Sequence, residues 1–153
     1  MHVMQGPACR AASMCTGATI SRDDYGGCYI DWSRGVKLVL LLANADDDAR
    51  AWYMSRCAEP EWVIIEDVPF NQKNLDEFVN ICAELLWDRE IRVWLWGPHT
   101  RLNGVRLNVE PEQMDNAERI LLENALELWR EIDPEADFAP TILLEPGGPI
   151  VFC

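Results

Sequence analysis

Basic residues are scarce in this sequence. Its 153 residues include 13 Lys and Arg against 26 Asp and Glu, a net charge of −13. Residues 43–153 hold nine basic and 23 acidic side chains, whereas residues 1–42 carry a net charge of +1. A surface this negative repels phosphate backbones and attracts basic molecules, so we expect no direct binding of nucleic acid. The acidity serves either solubility alone or the attraction of a basic partner.

Long apolar runs and leader signals are also missing. No stretch approaches the roughly 20 apolar residues of a membrane-spanning helix. The N-terminus lacks the charged region followed by an apolar region that a secretory signal requires. We therefore expect a cytoplasmic protein that does not bind membranes.

No complete catalytic or cofactor motif occurs. The chain has no Gly-rich phosphate loop, no Gly-x-Ser-x-Gly nucleophile elbow and no Cys-x-x-Cys pair. Lysine occurs only at positions 37 and 73, and His2 and His99 are the two histidines. The sequence therefore favours a non-catalytic protein without a cofactor.

The six cysteines form no recognisable framework. Cys57 and Cys82 fall on apolar helical faces, where a free thiol acts as a small apolar side chain. A zinc site could be built from four N-terminal residues, although their spacing matches no zinc motif. These four are His2, Cys9, Cys15 and Cys28. Free thiols in a reducing cytosol are the expected state.

Residues 36–48 show the clearest secondary-structure pattern in the sequence. The first eight of them are apolar apart from Lys37, which predicts a strand that is buried on both faces. The acidic triplet 46–48 follows the strand, and Asn44 and Asp46 are candidate N-caps for the next helix. Residues 62–67 repeat the pattern of a short apolar run followed by two acids.

Hydrophobic periodicity predicts seven strands and three helices, in the order β-β-α-β-α-β-β-α-β-β. The strands are 28–32, 36–43, 62–65, 91–96, 105–109, 141–145 and 150–152. The helices run from 46 to about 57, from 71 to 87 and from 111 to about 132. Strand–helix alternation indicates an α/β fold, with α+β as the alternative. We expect a loosely ordered arm over residues 1–27, then one domain with a mixed, partly parallel sheet of about five to seven strands over 28–153.

One candidate site is the carboxyl edge of the central strands. If these strands are parallel, their polar C-terminal residues converge where ligands bind in open α/β sheets. The residues concerned are Asp46, Asp47, Glu66, Asp67 and His99. Grouped carboxylates can hold Mg²⁺, so a small Mg²⁺-dependent enzyme is one alternative function. The competing interpretation is that these acids cap helices and line solvated loops.

The second candidate is a partner-binding surface. Alternation over residues 91–96 predicts that Ile91, Val93 and Leu95 share one face of a strand, and Arg92, Trp94 and Trp96 the other. Aromatic and Arg side chains are typical of interface hot spots, although a covered face would make the Trp residues core. The long helix adds an acidic face that is either simply solvated or meets Lys and Arg. The predicted contact residues are Arg92, Trp94, Trp96, Glu112, Asp115, Glu123 and Glu127.

These observations favour a non-catalytic acidic protein that occludes a basic partner surface. Such a protein resembles immunity or anti-defence inhibitors only in general type, as an inhibitor of a toxin, a nuclease or a nucleic-acid-handling defence complex. Electrostatic steering would be followed by anchoring through aromatic side chains. The alternatives are the Mg²⁺-dependent enzyme and a structural subunit of a larger assembly.

Overall fold

The computed structural model describes residues 22–33, 35–57 and 59–148. The chain divides into two compact units; the first ends at Lys73 and the second begins at Asn74. Both are mixed α/β, which confirms the predicted fold class. The single domain over 28–153 stays a prediction. Most of the predicted arm, the strand at 150–152 and three zinc candidates (His2, Cys9 and Cys15) lie outside the described residues.

The described elements follow the predicted order. They are β1 (Tyr25–Asp31), β2 (Lys37–Ala43), α1 (Asp47–Ser55), β3 (Val63–Val68), α2 (Gln72–Asp88), β4 (Val93–His99), β5 (Gly104–Val109), α3 (Met114–Arg130) and β6 (Ile142–Pro146). Single 3₁₀ turns, Pro60–Trp62 and Pro111–Gln113, precede β3 and α3.

Two three-stranded sheets share one topology. In the first sheet, β2 lies between an antiparallel β1 and a parallel β3. In the second sheet, β5 lies between an antiparallel β4 and a parallel β6. Each unit therefore contains a β-β-α-β path in which a helix connects two parallel strands, and the predicted single sheet is replaced by two smaller ones.

The first unit is organised around β2. All six residues from Leu38 to Ala43 are buried, which confirms that this strand is covered on both faces. Leu40 and Leu42 pack with Tyr25 of β1 and Tyr53 of α1. α1 begins where predicted, because the carboxylate of Asp46 accepts a hydrogen bond of 2.8 Å from the Ala49 N–H.

The second unit has a different middle strand. In β5, Val105, Leu107 and Val109 are buried, Arg106 is exposed and Asn108 is half-buried. The stripe of α2 is buried around Phe78, whose ring meets Trp129 of α3 edge to face at 5.3 Å. The alternation of buried and exposed residues in β5 is typical of a sheet with its core on one face.

The described cysteines are free thiols. Cys57 and Cys82 are buried and Cys28 is half-buried, and none of the three forms a disulfide. Burial raises the pKa of the Cys82 thiol to about 12. The prediction that Cys57 and Cys82 act as small apolar side chains is therefore confirmed.

Candidate partner-binding surface

The solvent side of α3 carries a row of carboxylates. Helical spacing buries Ala117, Ile120, Leu121 and Trp129 and leaves the acids outside. Five acids on this helix and its flanking turns are exposed and form no ion pair with any described residue. They are Glu112, Asp115, Glu118, Glu127 and Glu131. The row therefore has a large uncompensated negative charge.

Of the predicted contact residues on α3, only Glu123 forms an ion pair with a described residue. One of its carboxylate oxygens lies 3.7 Å from a guanidinium nitrogen of Arg119, one turn earlier. Both side chains are more than half exposed, and such pairs contribute little to stability. Arg130, the other cation of this helix, donates instead to the carbonyl of Ala136 at 3.0 Å. Neither arginine removes the negative character of the surface.

Arg92 and Trp94 lie beside the start of α3. The Arg92 guanidinium sits 5.3 Å from the centre of the Trp94 ring, close enough for a cation–π contact. The indole N–H of Trp94 donates to the Glu110 carboxylate at 3.1 Å. The Gln113 side chain accepts from the Arg92 backbone N–H at 2.8 Å and donates to the Glu90 carbonyl at 2.9 Å. These bonds fix Arg92 and Trp94 against the segment that carries Glu112.

A β-bulge separates Trp94 from Trp96, so the prediction that they share a face is wrong. Val93 pairs with Val109 and Trp96 with Leu107, and both partners belong to the buried face of β5. Between them, Trp94 and Leu95 both oppose Asn108. Because one extra residue is inserted, the period-two alternation on which the prediction depended fails here. Leu95 is accordingly 44% exposed.

Trp96 belongs to a second aromatic patch. Its ring meets Trp87 of α2 edge to face at 4.8 Å, and its indole N–H donates to the Asn80 side chain at 2.8 Å. Although they contact each other, Trp96 and Trp87 remain 40% and 44% exposed. Exposed indoles held in one orientation are good anchors for a protein partner, since they lose little entropy on binding.

The predicted contact residues are thus only partly brought together. Arg92 and Trp94 are hydrogen-bonded to Gln113 and Glu110, respectively, which lie on either side of Glu112 in the chain, and Asp115 lies in the first turn of α3. Glu123 and Glu127 extend the acidic row along the next turns of the same helix, and Trp96 lies in the aromatic patch on α2 and β4. The arrangement presents carboxylates and indoles to solvent and contains no evident nucleophile.

The predicted metal site is not assembled. β2 and β3 are parallel as expected, but Asp46 caps α1 and Asp67 forms an ion pair with Arg50. β4 pairs with β5 rather than β3, and the His99 ring at its end accepts from the Leu102 N–H at 3.3 Å. Within the described ranges, no three His, Cys, Asp or Glu side chains form a group that could hold a metal ion. Asp47 and Glu66 therefore belong to no such group.

A polar network occupies the carboxyl end of β2 instead. Asp24 accepts from the Tyr53 hydroxyl at 2.6 Å and from the Arg22 guanidinium at 3.1 Å, and Arg22 stacks over Trp52 at 4.3 Å. The Arg22 hydrogen bonds hold the pKa of Asp24 below its ordinary value, while burial and Asp24 raise the pKa of Tyr53. Sequence reasoning missed this network because it assigned residues 22–27 to a loose arm; the polar triplet 22–24 before a strand was the available signal.

Comparison with protein-family models and with curated proteins gives no match. Of the helices in the described part of the chain, none is both long enough and apolar enough to cross a membrane.

Proposed function

We propose that this chain is a non-catalytic acidic protein that binds and occludes a basic protein surface through its second unit. The observation that carries the proposal is the row of exposed carboxylates on α3 without basic partners among the described residues. Residues 74–148 hold 16 acidic and six basic side chains, so the whole unit adds to the field of that row. Such a field steers a basic partner toward the surface and raises its association rate.

The aromatic side chains supply the short-range part of the mechanism. Trp94 is held beside the start of α3, and Trp96 with Trp87 forms an exposed pair on the same unit. Indole rings that exclude water around charged contacts are the usual energetic centre of an interface. The partner is a toxin, a nuclease or a component of a nucleic-acid-handling defence complex, and the binding takes place in the cytoplasm.

The alternative of a Mg²⁺-dependent enzyme gains no support from the carboxyl edge of β2 and β3. The carboxylates nearest to that edge cap a helix or pair with arginine. The structural-subunit alternative predicts binding that depends on apolar area and changes little with salt. Salt dependence therefore separates it from the inhibitor proposal.

The proposal is tested by capture on the immobilised full chain at low and moderate salt. The matched variant carries Glu112→Gln, Asp115→Asn, Glu123→Gln and Glu127→Gln, which remove charge and keep shape. We expect a basic protein that is retained by the wild type, lost on the variant and released by salt. Co-expression should then relieve the toxicity or block the nuclease activity of that protein. Retention of no basic protein, or equal retention on the variant, would overturn the proposal.

A further inference from the structure

An apolar groove lies between α3 and the edge strand β6. It has a volume of about 500 Å³, and α3 lines it with Met114, Leu121, Leu122 and Ala125. Ile142 and Leu144 of β6 form part of the other side. Met114 and Ala125 are 11 residues apart, which corresponds to about 16 Å along a helix. The groove is therefore elongated and suits a peptide segment better than a compact small molecule.

Leu122 is the least expected residue of this groove. It is 75% exposed, the largest exposed fraction of any bulky apolar side chain in the described residues. Folding of the helix does not require a leucine there, because the buried stripe is supplied by other residues. An exposed leucine at the rim of an apolar groove is typical of a binding surface.

Acidic side chains border the groove, and none of its lining residues is basic. Glu118 lines it directly, one turn before Leu122, and Asp115 is three residues earlier on the same helix. Glu145 of β6 is half-buried and pairs in register with Asn108 of β5, and because Ile142 and Leu144 line the groove, strand alternation places Glu145 on the other face of the sheet. The groove thus joins an apolar floor to negative charge on its rim.

The strand beside the groove has a free edge in the described part of the chain. β6 is the outer strand of its sheet and pairs there with β5 alone. An extended segment can add to such an edge through main-chain hydrogen bonds, with alternate side chains entering the neighbouring groove. The free edge of β6, the apolar groove and the acidic side chains around it together favour an extended, basic peptide segment as the occupant.

We infer that this groove binds an extended segment of a basic protein, in which apolar side chains alternate with Lys or Arg. The segment adds to β6 as a further strand. Its apolar side chains pack between Leu122 and Ile142, and its alternate cations lie on the other face of the sheet, next to Glu145, while Glu118 and Asp115 add to the negative field around the groove. The inference rests on the proposed function, because it specifies where and how the basic partner is held.

The test measures peptide binding to the full chain by fluorescence anisotropy at low salt. The probe is an eight-residue peptide of alternating Lys and Val, compared with octalysine, with alternating Glu and Val, and with the probe N-methylated on alternate residues. We expect the Lys-Val probe to bind at least tenfold more tightly than the other three. Octalysine lacks the apolar side chains, the Glu-Val peptide reverses the charge, and N-methylation blocks strand addition.

Two pairs of variants locate the site. Leu122→Ser should weaken the Lys-Val probe about tenfold, whereas Leu102→Ser, which changes another exposed leucine of the same unit, should have less than a twofold effect. Glu145→Gln should weaken it about threefold, whereas Glu84→Gln, an equal charge change on α2 of the same unit, should have a smaller effect. Circular dichroism of all four variants should match the wild type, since none of these side chains is buried.

The outcomes separate this inference from the proposed function. If neither octalysine nor the Lys-Val probe binds, both are overturned. If octalysine binds but the Lys-Val probe is no tighter, or Leu122→Ser has no effect, only the groove inference is overturned. A dimer in sedimentation that Leu122→Ser dissociates would assign the groove to a second copy of the chain. Tighter probe binding after deletion of residues 149–153 would assign it to that segment; either result overturns the inference.

Discussion

The two units follow the same β-β-α-β path but bury their middle strands differently. In β2, six consecutive apolar residues are buried, whereas in β5 the residues from 105 to 109 are buried only at alternate positions and Arg106 faces solvent. The helices also differ: α1 has nine residues, and α3 has 17 and carries the unpaired acids. The shared topology therefore supports two kinds of sheet, and only the second combines an exposed strand face, a long acidic helix and an apolar groove.

Under the proposed function, this difference assigns partner binding to the second unit and not to the first. In the first unit, several carboxylates bind other groups of the same unit. Asp24 binds Tyr53 and Arg22, Asp46 caps α1, and Asp67 pairs with Arg50. In the second unit, most acids of α3 have no partner among the described residues. A protein that binds a basic surface needs such uncompensated charge on a rigid element.

The largest difference in stability should appear when a lysine is placed on the buried strand β2 or on the partly exposed strand β4. Val39→Lys puts an ammonium at a position of β2 that is 0% exposed, and it should cost at least about 3 kcal/mol or prevent folding. Leu95→Lys, on the edge strand β4 where the leucine is 44% exposed, should cost less than about 1 kcal/mol. Urea unfolding followed by circular dichroism measures both. Equal midpoints for the two variants would remove the distinction between the strands.

Two glycine-to-alanine substitutions should also differ in their effect on stability, with the crowded position losing more than the open one. A Cβ at Gly104 would lie 2.3 Å from the Thr141 carbonyl oxygen, so Gly104→Ala must displace the start of β5 from β6. We expect a loss of about 2 kcal/mol or more. At Gly97 of β4 a Cβ would meet nothing within 4 Å, so Gly97→Ala should change the free energy of unfolding by less than about 0.5 kcal/mol. Thermal denaturation that ranks Gly97→Ala as the more damaging change would contradict the described pairing of β5 with β6.

Much of this contrast could be predicted from sequence. The apolar run of β2 and the alternation of β5 are local patterns, and Asp46 was identified as a helix cap from its position. The bulge at Trp94 could not be predicted, because it depends on how β4 pairs with β5. β4 runs to His99, past the predicted end at residue 96, because an edge strand tolerates a proline such as Pro98. Strand–helix alternation also does not reveal that β4 starts a second sheet, so the sequence places His99 at the edge of β2 and β3, whereas it lies at the end of a strand in the other sheet.

A smaller effect should follow from the polar network of the first unit. Tyr53→Phe keeps the ring and removes the 2.6 Å hydrogen bond to Asp24, which should cost about 1–2 kcal/mol at pH 7. The lowered pKa of Asp24 stabilises the fold above its ordinary value of 3.8, and this contribution disappears as the pH falls through the folded-state pKa. Asp24→Asn should therefore reduce the loss of stability as the pH falls below 3.8. Urea midpoints across that range would contradict the network if Asp24→Asn and wild type changed in parallel.

The most direct test of the central claim compares the two units by charge removal. One triple variant carries Asp115→Asn, Glu118→Gln and Glu127→Gln on α3, and the matched variant carries Asp47→Asn, Asp48→Asn and Glu61→Gln in the first unit, all at exposed acids. The measurement is the dissociation constant of octalysine at a series of salt concentrations. We expect the α3 variant to bind about tenfold more weakly at low salt with a shallower salt dependence, and the first-unit variant to bind within about threefold of wild type. Equal weakening by the two variants would contradict the assignment of binding to the second unit.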